Sequence, residues 1–208
     1  MIDYLTRYYD RLLQAALEHL ELVLLTLAIS IVLAGLLTVL CSLSKRVSRV
    51  LVNVLSMVYS IPSLALFALL IPLTGLGTVT AVIGLVIYNQ YLLLRNILAG
   101  LDEVDRGVVE AAAGMGMTKL QVLWKIQLPL SKAAILAGVR IAAVSTVGIA
   151  TIAASINAGG LGTILFDGLR TMNIAKILWG SLLSAVLAVG LDWALRLTEK
   201  RIDKKQRG

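Results

Sequence analysis

DEVDRGVVEAAAGMGMTKLQVLWKIQLPL, from Asp102 to Leu130, is the longest polar interruption in an otherwise apolar chain, and its reading decides the fold. It reads as two short helices meeting at a glycine. Asp102 or Asp105 can cap the first, with Val108, Val109 and Ala112 as apolar positions behind it, and Gly116 falls where a left-handed residue closes a helix. Thr118 opens the second, and Gln121 three positions on completes a capping box. Pro129 predicts an end near Leu128, because proline disfavours helical geometry in the residue before it and lacks an N–H. The result is a helix-turn-helix finger. Its apolar side chains, among them Met115, Met117, Leu120, Leu123 and Trp124, are interrupted by Arg106, Glu110, Lys119 and Lys125 too often to cross a bilayer. They need cover, and periodicity leaves two kinds open: the membrane interface or a groove on a partner protein.

Outside the finger the composition is that of a membrane protein. Of 208 residues, 59% are hydrophobic and 15% charged, which implies an integral membrane chain with one domain. Cys41, the single cysteine, sits in the first apolar run without a disulfide partner or companion metal ligands. The formal charge of +7 could suit nucleic acid, but the basic residues flank apolar runs and no aromatic-rich soluble module accompanies them. The expected partner is the lipid bilayer, not nucleic acid.

Residues 1–19 repeat apolar side chains at helical spacing (Leu5, Tyr8 or Tyr9, Leu12, Ala16) and read as an interfacial segment, with His19 at the membrane boundary. Asp3 and the length of the next run argue against a cleavable signal. The membrane domain spans residues 20–198 and holds five predicted spans, Leu20 to Ser42, Val50 to Leu73, Thr78 to Leu98, Lys132 to Ile156 and Ile174 to Leu197; about 20 residues suffice to cross. Residues 199–208 form a basic tail. With these spans, fourteen lysines and arginines fall on the finger's side and four (Arg7, Arg11, Arg170, Lys176) on the other, with Arg140 inside a span. The positive-inside rule then makes the finger and C-terminus cytoplasmic and the N-terminus external.

Polar residues inside the spans are the candidates for function. Ser60, Pro62 and Ser63 kink the second span, and the freed carbonyl must find water, a serine or a neighbouring helix; a packed kink and a pathway lining both remain open. Tyr88, Asn89 and Gln90 lie mid-way along the third, where polar groups either bond across helices or face a wet cavity. The fourth span is crowded with small residues, Ser145 and Thr146 among them, which suits a bundle centre or a subunit interface. Its Arg140 either snorkels to the surface or forms a gating or helix-tethering ion pair. Asn157, Gly159, Gly160 and Gly162 open an outer loop running to about Asn173, irregular as a receptor-facing or gating loop needs, or simply flexible. No phosphate-cradling G-x-x-x-x-G-K-[ST] and no Ser-His or metal constellation occurs, so no catalytic residue, cofactor or metal is expected on this chain.

Glu110-Ala111-Ala112, Gly116 six residues after the glutamate, and Ile126-x-Leu128-Pro129 ten residues after the glycine resemble the coupling-helix signature of ABC importer permeases. A bare E-A-A is common, but the whole pattern between two spans is specific. The resemblance implies an all-α integral membrane fold of the type I importer class, similar to methionine permeases. In it these residues dock into a cytoplasmic ATPase dimer that binds the ATP and magnesium. Within that class, SIPSLALF (Ser60–Phe67), YNQYLLLRN (Tyr88–Asn96), VSTVGIATIAA (Val144–Ala154) and AGGLG (Ala158–Gly162) look like permeases for osmoprotectants: glycine betaine, carnitine or choline. The implied location is the bacterial inner membrane, the implied path lies between two such subunits, the same chain or a close paralogue, and an extracellular solute-binding protein delivers the solute. Ser60, Pro62, Ser63, Tyr88, Asn89, Gln90, Ser145 and Thr146 are the candidates for that path or its gate. A permease for methionine or another amino acid is the sister reading. A self-contained channel or a membrane scaffold has less support, since the sequence shows no clear repeat.

Overall fold

The computed structural model describes the backbone of residues 2–207 and the side chains of residues 4–200. All regular structure among the described residues is helical. Helix α1, Ile2–Leu43, is continuous apart from a kink at Tyr8 (φ −129°, ψ 23°). No proline interrupts it and Leu, Val and Ala dominate, so nothing in the sequence stops the helix at the membrane boundary. At 1.5 Å per residue it runs roughly 63 Å, about twice the 30 Å hydrocarbon thickness. It is therefore long enough to cross the hydrocarbon and still extend beyond it. His19 differs from the interfacial reading: it is fully buried, with Nε2 donating to the Val147 carbonyl at 3.2 Å.

The second predicted span is a broken one. Helices α2 (Lys45–Tyr59) and α3 (Ser63–Thr74) meet at 97°, with Pro62 capping α3. Ser60 Oγ bonds back to the Ser56 carbonyl at 2.9 Å, and the Ile61 carbonyl accepts from Tyr88 Oη of the next helix at 2.5 Å. Both a serine and a neighbouring helix thus satisfy the bend, as a backbone in lipid requires.

Helices α4 (Thr78–Asp102), α8 (Lys132–Ala153) and α10 (Ile174–Arg207) complete the bundle. With α1 they make four helices long and apolar enough to span a membrane, and the α2–α3 pair makes a fifth. The core joins Leu22, Val23 and Leu27 of α1, Leu85 and Leu93 of α4, and Ala142, Ala143, Val147 and Ala150 of α8. Small residues bring α4 and α8 together: a β-carbon on Gly100 would lie 2.7 Å from that of Ala134, and one on Gly138 would lie 2.6 Å from Asn96. The fourth span is therefore central, as its composition predicts. Leu182, Val186, Val189 and Trp193 of α10 stay exposed, a surface suited to lipid.

The outer loop is shorter than its glycines suggest. After Asn157 in the left-handed conformation, residues Leu161–Arg170 form a helix, α9, packed against α10 and the first half of α1. In the basic tail the side chains of Arg201, Lys204, Lys205 and Arg207 lie outside the described residues.

Candidate functional site

The finger folds by the rules its sequence announces, with one exception. Helix α5, Arg106–Gly114, is capped by Asp105, whose Oδ1 accepts from the Val108 N–H at 3.2 Å; Asp102 instead closes α4. Gly116 turns the chain at φ +85°. Thr118 and Gln121 form the full capping box, with Gln121 N–H donating to Thr118 Oγ1 at 3.3 Å and Thr118 N–H to Gln121 Oε1 at 2.8 Å. Helix α6, Lys119–Val122, follows.

The exception is Pro129, which does not end the helix. Residues Leu123–Gln127 form a π-helical turn in which the Leu128 N–H reaches back five residues to the Leu123 carbonyl. The turn shifts the hydrogen-bond register by one residue, so Pro129 enters α7 (Leu128–Leu130) within its first turn, where no amide donor is needed. The chain then continues through Ser131 into α8.

One side of the finger is fastened and the other is open. Val122 and Leu123 are buried against the bundle, and Lys119 Nζ donates to the Leu43 carbonyl at the end of α1, 3.2 Å away. Ile126, Leu128 and Pro129 are half-buried at its base. Glu110, Ala111 and Gly116 face outward while Ala112 is buried. Next to them Met115 is 77% and Trp124 60% exposed, with Val108 and Leu120 also uncovered. The arm thus carries four bare apolar side chains, which need cover from outside the chain.

The pathway candidates divide into two groups. Tyr88, Asn89, Gln90 and Thr146 are buried. Asn89 Nδ2 donates to Thr146 Oγ1 at 2.9 Å and to Ser30 Oγ at 3.3 Å, and Gln90 Nε2 to the Val86 carbonyl at 3.2 Å. Asn89 and Thr146 with Ser30 form a polar knot binding α1, α4 and α8, and Gln90 Nε2 adds a bond to the Ser30 carbonyl at 3.4 Å, while Tyr88 reaches the α2–α3 bend. Ser60 and Pro62 are exposed, and Ser63 and Ser145 are half-exposed. Ser145 borders a groove of about 570 Å³ with Ala137, Arg140, Ile141, Val144 and Asp192.

Arg140 is a tether. Its Nε donates to Asp192 Oδ1 at 2.9 Å and its Nη1 to Glu199 Oε2 at 2.7 Å, fastening α8 to α10. Sequence reasoning alone does not single out Asp192 and Glu199, although an acid in the last span, Asp192, that could answer Arg140 is the available signal. On the far side Glu18 Oε2 accepts the Gly160 N–H at 3.2 Å, and Asn157, Gly159 and Gly160 (φ 68°, 82° and 76°) form the tight turn before α9. Gly162, within α9, abuts the Thr151 backbone. No group of three or more metal-ligating side chains occurs among the described residues.

Residues 24–204 match the family of binding-protein-dependent transport system inner membrane components. The chain belongs to that family. This inner membrane component is 36% identical to the carnitine transport permease protein OpuCB of Listeria monocytogenes, over 92% of this chain and 90% of that one. It is 32% identical to the glycine betaine/carnitine/choline transport system permease protein OpuCB of Bacillus subtilis, over 99% and 94%. Its fold superposes on a chain of the inward-facing MetNI methionine ABC transporter with a TM-score of 0.82 at 22% identity, covering 92% of this chain and 96% of that one. The all-α importer fold expected from the finger signature is therefore the fold observed.

Proposed function

We propose that this chain is the permease subunit of an ABC importer that moves a quaternary-ammonium osmoprotectant such as glycine betaine, carnitine or choline into a bacterial cell. The observation that carries the reading is the finger: rigid at its base, bare at Met115 and Trp124, and placed between two spans. A cytoplasmic ATPase dimer covers that apolar face, holding ATP and magnesium itself, and its opening and closing move the finger. The N-terminus lies outside and the C-terminus in the cytoplasm. The solute path runs between two permease subunits along the exposed faces that carry Ser60, Pro62, Ser63 and Ser145, and an extracellular binding protein delivers solute near the turn at Asn157–Gly162. The domain division at residues 19 and 198 follows the same reading, with the basic tail on the cytoplasmic side.

The test is uptake of labelled betaine, carnitine, choline and methionine into proteoliposomes holding the chain with its ATPase and binding protein, with and without internal ATP. ATP-dependent uptake of a quaternary ammonium is the expected result. Methionine uptake would move the solute and keep the class; flux without ATP would overturn the class. Trp124→Glu, on an exposed side chain, should leave stability within about 0.5 kcal/mol while lowering ATP-driven uptake at least tenfold, because a charge buried in the docked interface has no partner.

A further inference from the structure

The junction between the finger and α4 holds a small capping device. The last turn of any helix leaves carbonyls without backbone donors. In α4 two of them belong to Gly100 and Leu101. Ser131 Oγ donates to the Gly100 carbonyl at 2.7 Å, and Gln127 Nε2 to the Leu101 carbonyl at 3.4 Å. Gly100 and Ser131 are both buried, so water has little access to take over the first bond. Ser131 Oγ also lies 2.7 Å from the Gln127 carbonyl, which already accepts the Ser131 backbone N–H at 2.9 Å. A serine hydroxyl has one proton. It can hold α4 or bond back to the π-turn, not both at once.

The two choices are unequal in consequence. Released from the Gln127 carbonyl, the hydroxyl leaves behind a group that is still bonded. Released from Gly100, it leaves a buried carbonyl empty, and the finger loses its short bond to α4. At the same point Gly100 meets Ala134 so closely that a β-carbon would lie 2.7 Å from it, so the helices have no room to slide without disturbing the hydroxyl. Farther along α4, Tyr88 holds the Ile61 carbonyl at the α2–α3 bend. A displacement of α4 therefore reaches the broken span.

We propose that Ser131 is a positioning residue for transport: its hydroxyl clasps the end of α4, with Gln127 as second clasp, and passes finger movement to α4 and the α2–α3 bend. The proposal rests on the coupling role of the finger and adds the joint through which it acts. The readout is solute imported per ATP hydrolysed by the reconstituted transporter with its ATPase and binding protein. Ser131→Ala should lower that ratio about tenfold, and Ser131→Thr, which keeps the hydroxyl, should recover at least half of it. Gln127→Leu, at a half-buried site, should lower the ratio severalfold and serves if the alanine variant does not assemble. An unchanged ratio in an assembled alanine variant, or uptake and hydrolysis falling in proportion, would overturn the clasp. Trp124→Glu in the same series separates the two claims. If it abolishes uptake while Ser131→Ala leaves the ratio intact, the clasp alone fails; if it leaves uptake intact, the coupling role fails.

Discussion

The glycine-bearing turn of the finger and the one before α9 on the far side solve opposite problems. Gly116 of the finger is at φ +85° with open space where a β-carbon would be; only the backbone turn requires it. Gly160 has φ 76° and ψ −170°, a region essentially restricted to glycine, and a β-carbon there would also lie 2.9 Å from His19 Nδ1. The finger turn is left free on its outer side, with nothing within 4 Å of a β-carbon on Gly116. The far turn is closed onto α1, with His19 beneath it and Glu18 on its N–H. The same residue type thus marks a surface in one place and a sealed junction in the other, and the neighbours, not the glycine, tell which.

The sharpest way to break this contrast is to add the same methyl group to each turn. Gly162, just beyond the far turn, is the most demanding, since a β-carbon would fall 2.0 Å from the Thr151 carbonyl oxygen. Gly162→Ala should prevent recovery of folded protein, and Gly160→Ala should destabilise by about 2–4 kcal/mol, combining overpacking with backbone strain. Gly116→Ala should cost only about 1–2 kcal/mol, the left-handed penalty alone. Thermal unfolding in detergent measures all three, and equal losses at Gly116 and Gly160 would remove the distinction.

What the sequence disclosed, and what it did not, follows the same division between local and distant causes. The caps at Asp105 and Thr118, the turn at Gly116 and the crowding of small residues in α8 rest on neighbours a few positions away, and local spacing is sufficient to read them. The passage of Pro129 through a helix was hidden because a π-turn has no residue signature comparable to a cap. The burial of His19 depends on Val147, 128 residues away, and the inward bonding of Asn89 and Gln90 on Ser30, about 60 away. Polar residues in a span look alike in sequence whether they bond helices or line a path. Sequence also left Arg140 without a named partner, because Asp192 and Glu199 are 52 and 59 residues off.

That tether supplies the next test, now within the bundle. Arg140 joins two carboxylates of α10, and the three side chains retain between 19% and 35% exposure. Arg140→Leu leaves both carboxylates without their cation and should destabilise by about 2–3 kcal/mol, below the 3–5 kcal/mol of a fully buried pair. Removing the acids as well, in Arg140→Leu with Asp192→Leu and Glu199→Gln, should return most of that loss. No recovery in the triple variant would mean that Arg140 stabilises by packing along its stem and not by charge.

The smallest effect belongs to the far side, where α9 meets the start of α10. Lys176 Nζ lies 2.6 Å from Asp167 Oδ2 and Arg170 Nη2 2.9 Å from Oδ1. Lys176 first, and then Arg170, hold the Asp167 carboxyl below its ordinary value of 3.8. A carboxyl depressed in the folded state contributes stability that is fully present above its unfolded value and fades as pH falls through the lower folded value. The contribution should therefore be constant from neutral pH down to about pH 5 and decline only below about pH 4. Arg170 is largely exposed and the pairs are open to solvent screening, so the change is small and weakens with salt. The measurement is the difference in melting temperature between the natural chain and Asp167→Asn across that range, at low and high salt. A difference that grows as pH falls would show that Asp167 is not the paired carboxylate that fastens α9 to α10.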